Sequence, residues 1–248
     1  MEIEKPPVSQ TVRPPRFREY IDLNLVYKNV PLESETYIID YINLSENDVF
    51  MAKLRGSREY WTVHGLKHDF NYVRLNKKGE GIMMSDTPME RNSNRDFVRN
   101  ANGNVLVFGL GLGLIILPLL SDPNIKSIRV VELYQDLIDI VAPVLKPYDV
   151  HNKLDIRQGN AFEYVLEKGS KFDTIYFDIW QNITTDNYEG QKTLTKKFSK
   201  HLNRDNSWAF MDCWLKKHLA QKVANEKREE RMYPRLRHNI NPMNYVGQ

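Results

Sequence analysis

The stretch VLVFGLGLG at residues 105–113 constrains this chain more than any other part of it. An apolar, β-favouring run leads straight into Gly109, Gly111 and Gly113, and a second apolar run at 114–120 follows, able to turn helical. A strand that ends in glycines and opens a helix makes a shelf. Backbone N–H groups and a helix N-terminus meet a ligand there with no Cβ in the way. Such a shelf suits a nucleotide-type cofactor, and the residues beyond it are spaced to complete a pocket over it.

Downstream, apolar β-type runs alternate with helical patterns. The sequence predicts strands over 105–108, 127–132, 154–157, 172–178 and 207–213. Between them it predicts helices from the glycines to about 120, over 136–145, for a turn or two at 163–167, and around 194–202. That alternation implies βαβ units and a parallel sheet, with right-handed crossovers that bring every strand's carboxyl end to one edge. Ligands bind at that edge. Glu132 ends the second strand about 23 residues after Gly109, near the offset at which an acid accepts both hydroxyls of a ribose; Leu133 follows it. Asn160 and Ala161 follow the third strand, and the amide both donates and accepts, as an adenine edge requires. Asp178 ends the fourth strand. It is placed either to orient or deprotonate a substrate or to hold the cofactor's amino group or a backbone turn, with Trp180 as a wall and Gln181 beyond. Tyr176, inside the strand, is expected in the core. No Gly-Lys-Ser/Thr follows the glycines, which excludes a P-loop, and Leu114 occupies the position where a dinucleotide-binding loop needs a small residue.

Upstream, residues 1–24 form a basic, Pro-rich arm, with Arg13, Arg16 and Arg18 among its charges. It reads equally as a disordered leader or as an arm around a neighbouring subunit. Residues 25–85 form a small β-domain of two hairpins, one from 48–54 to 59–63 and one from 72–75 to 82–84, the latter with glycines placed for the turn. His64 and His68 stand four apart, with Gly65 between them and no third ligand in view, so no metal site is predicted. Thr87-Pro88-Met89-Glu90 reads as a capped helix start running to about 99. On that reading Glu90 closes a capping box; on a second, compatible one, Asp86 and Glu90 line the substrate side of the shelf. The main domain spans 86–232. It closes on a mixed-charge helix at 215–232, whose interleaved lysines, arginines and glutamates read as a solvated face rather than a nucleic-acid surface. A tail, 233–248, follows.

Composition narrows the setting. A net charge of +3 favours no polyanionic partner, and the single cysteine, Cys213, leaves no intramolecular disulfide and points to a reducing, cytoplasmic setting. The first ten residues have no apolar core of the secretory kind, and the longest apolar run, 105–120, falls short of the roughly 20 residues a membrane span needs.

Together these motifs resemble the class I S-adenosylmethionine-dependent methyltransferase superfamily, and within it the spermidine-synthase-like branch. VLVFGLGLG is similar to its first motif, VVELYQDLIDI to the second, DIRQGNAFEYV to the third and FDTIYFDIW to the fourth, over residues 82–214. The resemblance implies an α/β, Rossmann-like methyltransferase fold with a mostly parallel sheet behind a small antiparallel β-hairpin domain. It also implies S-adenosyl-L-methionine, its decarboxylated form or methylthioadenosine as ligand, a small-molecule acceptor, and a homodimer or higher homo-oligomer. Two positions depart from the branch. Leu112 stands where the aminopropyl-transferring members carry an aspartate that holds the aminopropyl amine, and Gln181 where they carry a basic aspartate. The sequence therefore favours methyl transfer over aminopropyl transfer. Cleavage of S-adenosylmethionine, or a cofactor-binding or structural protein without catalysis, stays open beside it.

Overall fold

The computed structural model describes residues 18–55, 67, 71–182 and 184–232. Two sheets organise the chain. The first is a four-stranded antiparallel sheet of β1 (Leu32–Glu33), β2 (Tyr37–Asn43), β3 (Asn71–Lys77) and β4 (Gly81–Ser85), in that order. The second is a five-stranded, wholly parallel sheet in the order β7-β6-β5-β8-β9, built from β5 (Gly103–Phe108), β6 (Ile125–Glu132), β7 (Leu154–Gln158), β8 (Thr174–Phe177) and β9 (Phe210–Cys213). This is the Rossmann-like α/β fold with its preceding antiparallel sheet that the sequence pattern implies. The strand order reverses at β5, between β6 and β8, so the crevice at a topological switch point opens directly above the glycines.

Alternation along β5 divides the core. Val105 and Val107 point to one face of the sheet and Leu106 and Phe108 to the other, all fully buried. The first face packs against α6 (Gln135–Leu145) through Leu137, Ile138, Val141 and Leu145, and its apolar cluster continues into Tyr37, Ile39, Val73 and Leu75 of the antiparallel sheet. The two sheets therefore share one core, which fixes the small sheet over the carboxyl edge of the large one. The second face is filled by Ile175, Phe177, and Leu194 and Phe198 of α7 (Asn187–Phe198), where Phe108, Phe177 and Phe198 meet ring to ring. The end of the N-terminal arm also docks. Arg18 bonds to Asp122 and to the carbonyls of Val98 and Ala101, and Leu23 of α1 (Leu23–Val26) is fully buried, so residues 18–24 are packed against the main domain. The last helix, α8 (Lys216–Met232), buries only Leu219 and keeps its charges in solvent.

Several elements differ from the sequence reading, each for a local reason. Residues 48–54 are no hairpin strand but part of helix α2 (Glu46–Arg55), because Ser45 and Asp48 cap it reciprocally. Asp48 accepts from the Ser45 amide at 2.9 Å and hydroxyl at 2.6 Å, while its own amide reaches Ser45 Oγ at 3.2 Å. The proposed partner strand at 59–63, His64, His68 and the tail at 233–248 lie outside the described residues. The helix expected over 87–99 breaks at Asn94 into α3 (Pro88–Ser93) and α4 (Arg95–Asn100), where the Tyr176 hydroxyl, inside the core, donates to Asn94 Oδ1 at 2.8 Å. The helix expected directly after the glycines shrinks to α5 (Leu117–Leu120), since Gly111 and Gly113 hold φ of +49° and +71°, outside right-handed helix geometry. No helix therefore opens directly at the glycines, and the shelf itself is loop backbone. The helical turn expected over 163–167 is confined to a turn at 161–163, closed by the Tyr164 amide donating to the Asn160 carbonyl at 2.7 Å, and 164–167 carry no regular structure, with Tyr164 and Leu166 packed in the second core cluster.

Candidate functional site

The carboxyl edge of the parallel sheet carries a cavity of about 460 Å³, a volume typical of small-molecule sites. The sequence-predicted residues Gly109, Gly111, Glu132, Leu133, Asn160, Ala161, Asp178, Trp180, Gln181 and Glu90 all line it. Two others do not. Gly113 faces α6, where an added Cβ would sit 2.6 Å from Leu145, so it serves helix packing. Asp86 is fully buried beneath β3 and α3, accepting from the Val73 amide at 2.9 Å and from Arg91 at 3.0 Å.

The glycine loop is held from three sides. Gly109, at φ +100°, donates to the Val131 carbonyl at 2.9 Å, and a side chain there would drive into the Asp178 carbonyl. A Cβ on Gly111 would strike the Met84 sulfur, so a thioether from the antiparallel sheet covers the loop. Leu112, expected to stand at the centre of the shelf, turns its side chain fully into the core. Its amide donates to Met84 Sδ at 3.2 Å and its carbonyl accepts from the Tyr27 hydroxyl at 2.9 Å. What position 112 withholds from the cavity is therefore any side chain at all.

Glu132 is buried at the cavity wall. One carboxylate oxygen accepts from the Leu110 amide at 2.9 Å, the other from the Tyr134 amide at 3.0 Å. Burial pushes its pKa up while these amides pull it back, and the net direction is upward. With the Leu133 amide also bearing on the carboxylate, it still keeps acceptor capacity for a ligand hydroxyl. Asn160 makes an Asx-type turn, its side-chain oxygen accepting from the Phe162 amide at 3.0 Å. Across the cavity, desolvation raises Asp178 to about 7, and burial together with the charge of Asp178 raises Glu90 to about 8. Thr87 makes no side-chain cap bond; its hydroxyl accepts from Ser85 instead, so the capping box is not formed and the Glu90 carboxylate is left to the cavity.

Sequence reasoning missed the cavity's roof and one of its walls. Tyr37, Leu75, Met83 and Met84 come from the antiparallel sheet, and only the tertiary fold brings them over the glycines. Trp214 was within reach, since it directly follows β9 and the strand-end logic that selects Asp178 selects it too; its indole N–H donates to Ser93 Oγ at 2.9 Å. The Tyr37 hydroxyl is buried at the cavity with no hydrogen-bond partner among the described residues, and its ring lies edge-on to Tyr134 at 5.6 Å.

Parts of this chain are similar to parts of several solved methyltransferases. A dimethyladenosine transferase from Plasmodium falciparum shares 24% identity over 41% of this chain and 32% of its own, with a TM-score of 0.31. The CcbJ methyltransferase from Streptomyces caelestis shares 15% over 46% and 45%, with a TM-score of 0.38. The glycopeptide N-methyltransferase MtfA, solved with S-adenosylmethionine, shares 20% over 45% of each chain, with a TM-score of 0.35. This chain thus spans less than half the length of each of these three proteins. No family model and no curated protein matches the sequence. Among the described residues, no helix is long and apolar enough to cross a membrane.

Proposed function

We propose that the chain is an S-adenosylmethionine-dependent transferase that moves a methyl group to a small-molecule acceptor. One observation carries this reading: the glycine loop, Glu132, Asn160–Ala161 and Asp178 stand on successive strand ends and line a single cavity. The cavity fits an adenosyl group on its own terms. Glu132 and Asn160 bring polar groups to it from two strand ends, and Tyr37 holds a buried hydroxyl in the field of Glu132 that has no partner among the described residues. Glu132 would accept the ribose hydroxyls, with Tyr37 as the second polar contact. Asn160 would bond the adenine edge against Ala161.

When bound, the sulfonium supplies the electrophilic activation. What remains for this chain is to align and to keep water out. Trp180, Trp214 and Phe162 line the cavity as aromatic walls. Asp178, titrating near neutrality, would orient the acceptor and take its proton at the carboxylate, the protonation behaviour a general base needs. The presence of Glu90 in the same cavity favours a second reading, aminopropyl transfer from the decarboxylated cofactor.

Calorimetric titration separates the two. Tight binding of S-adenosylmethionine with weak binding of the decarboxylated form supports methyl transfer; the reverse preference supports aminopropyl transfer; no binding of either overturns both. Glu132→Ala is expected to weaken S-adenosylmethionine binding by about 30-fold or more, because two charge-assisted bonds are lost together. An unchanged affinity in a folded Glu132→Ala variant would remove Glu132 from the ribose role. Tyr37→Phe removes an oxygen with no partner in the free protein. It is expected to leave the melting temperature unchanged or slightly raised while weakening adenosyl binding by about five- to tenfold, the worth of one hydrogen bond.

A further inference from the structure

We propose that Glu90 and Asp178 form a receptor for a protonated primary amine inside the cavity, so that the bound ligand or its co-substrate presents an alkylammonium group to α3. This deepens the transferase reading and rests on it. Glu90 is 8% exposed, lines the cavity, and among the described residues no donor reaches its carboxylate; the bonds it accepts go to its backbone carbonyl, from Ser93 Oγ and from the amide and side chain of Asn94. A buried carboxylate without a partner is costly, and native structures keep one where a ligand completes it.

The basic groups nearby are committed elsewhere. Arg91 is paired with Asp86 at 3.0 Å and with the Asp86 carbonyl at 2.9 Å, and Arg95 is bonded to Asn92. The other titratable groups that bear on this corner are Tyr20, whose buried hydroxyl has no hydrogen-bond partner among the described residues and lies in the field of Asp178, Arg91, Arg95 and Glu90, and Tyr176, bonded to Asn94. Neither arginine acts on the Glu90 or the Asp178 carboxyl, so no cation among the described residues compensates that pair. Burial holds both carboxyls toward their neutral forms, and a cation between them would reverse that.

The occupant's chemistry follows. A divalent metal wants more ligands, and no group of three His, Cys, Asp or Glu side chains that could hold one occurs among the described residues. An ammonium needs only a few acceptors and gains from aromatic faces, which Trp180 and Trp214 supply in the same cavity. The amine has two sources, the amino-acid tail of the cofactor or the acceptor itself.

The test uses the full chain, wild type and Glu90→Gln, in titration calorimetry at pH 7.5. S-Adenosylhomocysteine carries the cofactor's ammonium, methylthioadenosine presents the same adenosyl thioether without it, and 1,4-diaminobutane supplies an acceptor-type amine to protein saturated with methylthioadenosine. The expected result is a tenfold or greater loss in Glu90→Gln for one amine-bearing ligand, with methylthioadenosine held within twofold. Loss confined to S-adenosylhomocysteine assigns the amine to the cofactor, and loss confined to the diamine assigns it to the acceptor. Both amine-bearing ligands binding Glu90→Gln within twofold of wild type would overturn the proposal. Wild type alone gives a second readout. Repeating each titration in buffers of different ionisation enthalpy should show proton release with the amine-bearing ligand and none with methylthioadenosine; equal proton exchange for all ligands would also overturn it. Failure of the transferase reading shows separately, as wild type that does not bind methylthioadenosine. The diamine titrated into the free protein then still reads the amine site.

Discussion

Gly109→Ala is expected to destabilise the protein by roughly 3 kcal/mol and to abolish adenosyl binding at any practical concentration. The residue holds φ +100°, which an L side chain adopts only under strain, and its added Cβ would lie 2.9 Å from the Asp178 carbonyl carbon and closer still to the oxygen. Neither neighbour is free to give. Gly109 donates to the Val131 carbonyl at 2.9 Å, and Asp178 donates to the Phe108 carbonyl at 2.8 Å, so the clash falls on the seam between β5 and β8 where their ladder ends. Relief requires the carboxyl ends of those strands to part, which moves Asp178 away from the cavity it lines. Stability and ligand affinity should therefore fall together. Thermal unfolding is expected to shift by about 10 °C, taking the usual response of a domain this size. Gly79→Ala is the matched control, because it too has positive φ, +80°, but nothing within 4 Å of the added atom. It should cost only the backbone strain, about 1–2 kcal/mol, and leave binding intact. A Gly109→Ala protein that melts like the control would show that contact with Asp178 is not what reserves this position for glycine.

That pairing also shows what the sequence can reveal. Gly109, Glu132, Asn160 and Asp178 were legible because each follows an apolar β-type run, and parallel strands bring such ends to one edge whatever the details between them. The five-stranded sheet followed from the same rule. Legibility failed where a local bond outweighs the pattern. Residues 48–54 carry a β-like run of apolar side chains, yet Ser45 and Asp48 fix the first helical turn before that run can act. Thr87 and Glu90 spell a capping box, yet Ser85 takes the threonine hydroxyl and frees the glutamate for the cavity. The roof was invisible for a different reason. Tyr37 and Met84 reach the glycines only through the shared core of the two sheets, a contact between separate sheets that no spacing encodes. Leu112 shows the remaining gap: its identity could be read, but its direction, into the core, could not.

Stability should fall as pH rises from 5 to 9, and Glu90→Gln should remove the larger part of that fall between pH 6 and 8. Glu90 titrates near 8 in the folded protein against an ordinary value of 4.5, and Asp178 near 7 against 3.8. Between those limits the folded chain keeps protons that the unfolded chain has released, so stability is fullest below the ordinary carboxyl range and is lost as pH climbs through the raised values. Glu132 and Asp86 are shifted in the same direction and add to the slope at its acid end. The carboxyls shifted downward, Asp122, Asp136, Asp155 and Asp173 among them, are ionised in both states above about pH 5 and act only in more acid solution, where they destabilise as pH falls. The two groups of carboxyls therefore set a maximum near pH 5. From there to pH 9, urea titrations should record a loss of roughly 7 kcal/mol, about 1.4 kcal/mol for each of the three pH units over which Glu90, and the two over which Asp178, stays protonated only in the folded chain. Glutamine keeps the shape of protonated glutamate and cannot ionise, so the variant should be more stable than wild type at pH 8 while binding the amine less well. A stability profile that is flat from pH 5 to 9, or one that Glu90→Gln leaves unchanged, would show that the Glu90 carboxylate is already compensated in the free protein. A cationic ligand would then have no unpaired charge to meet.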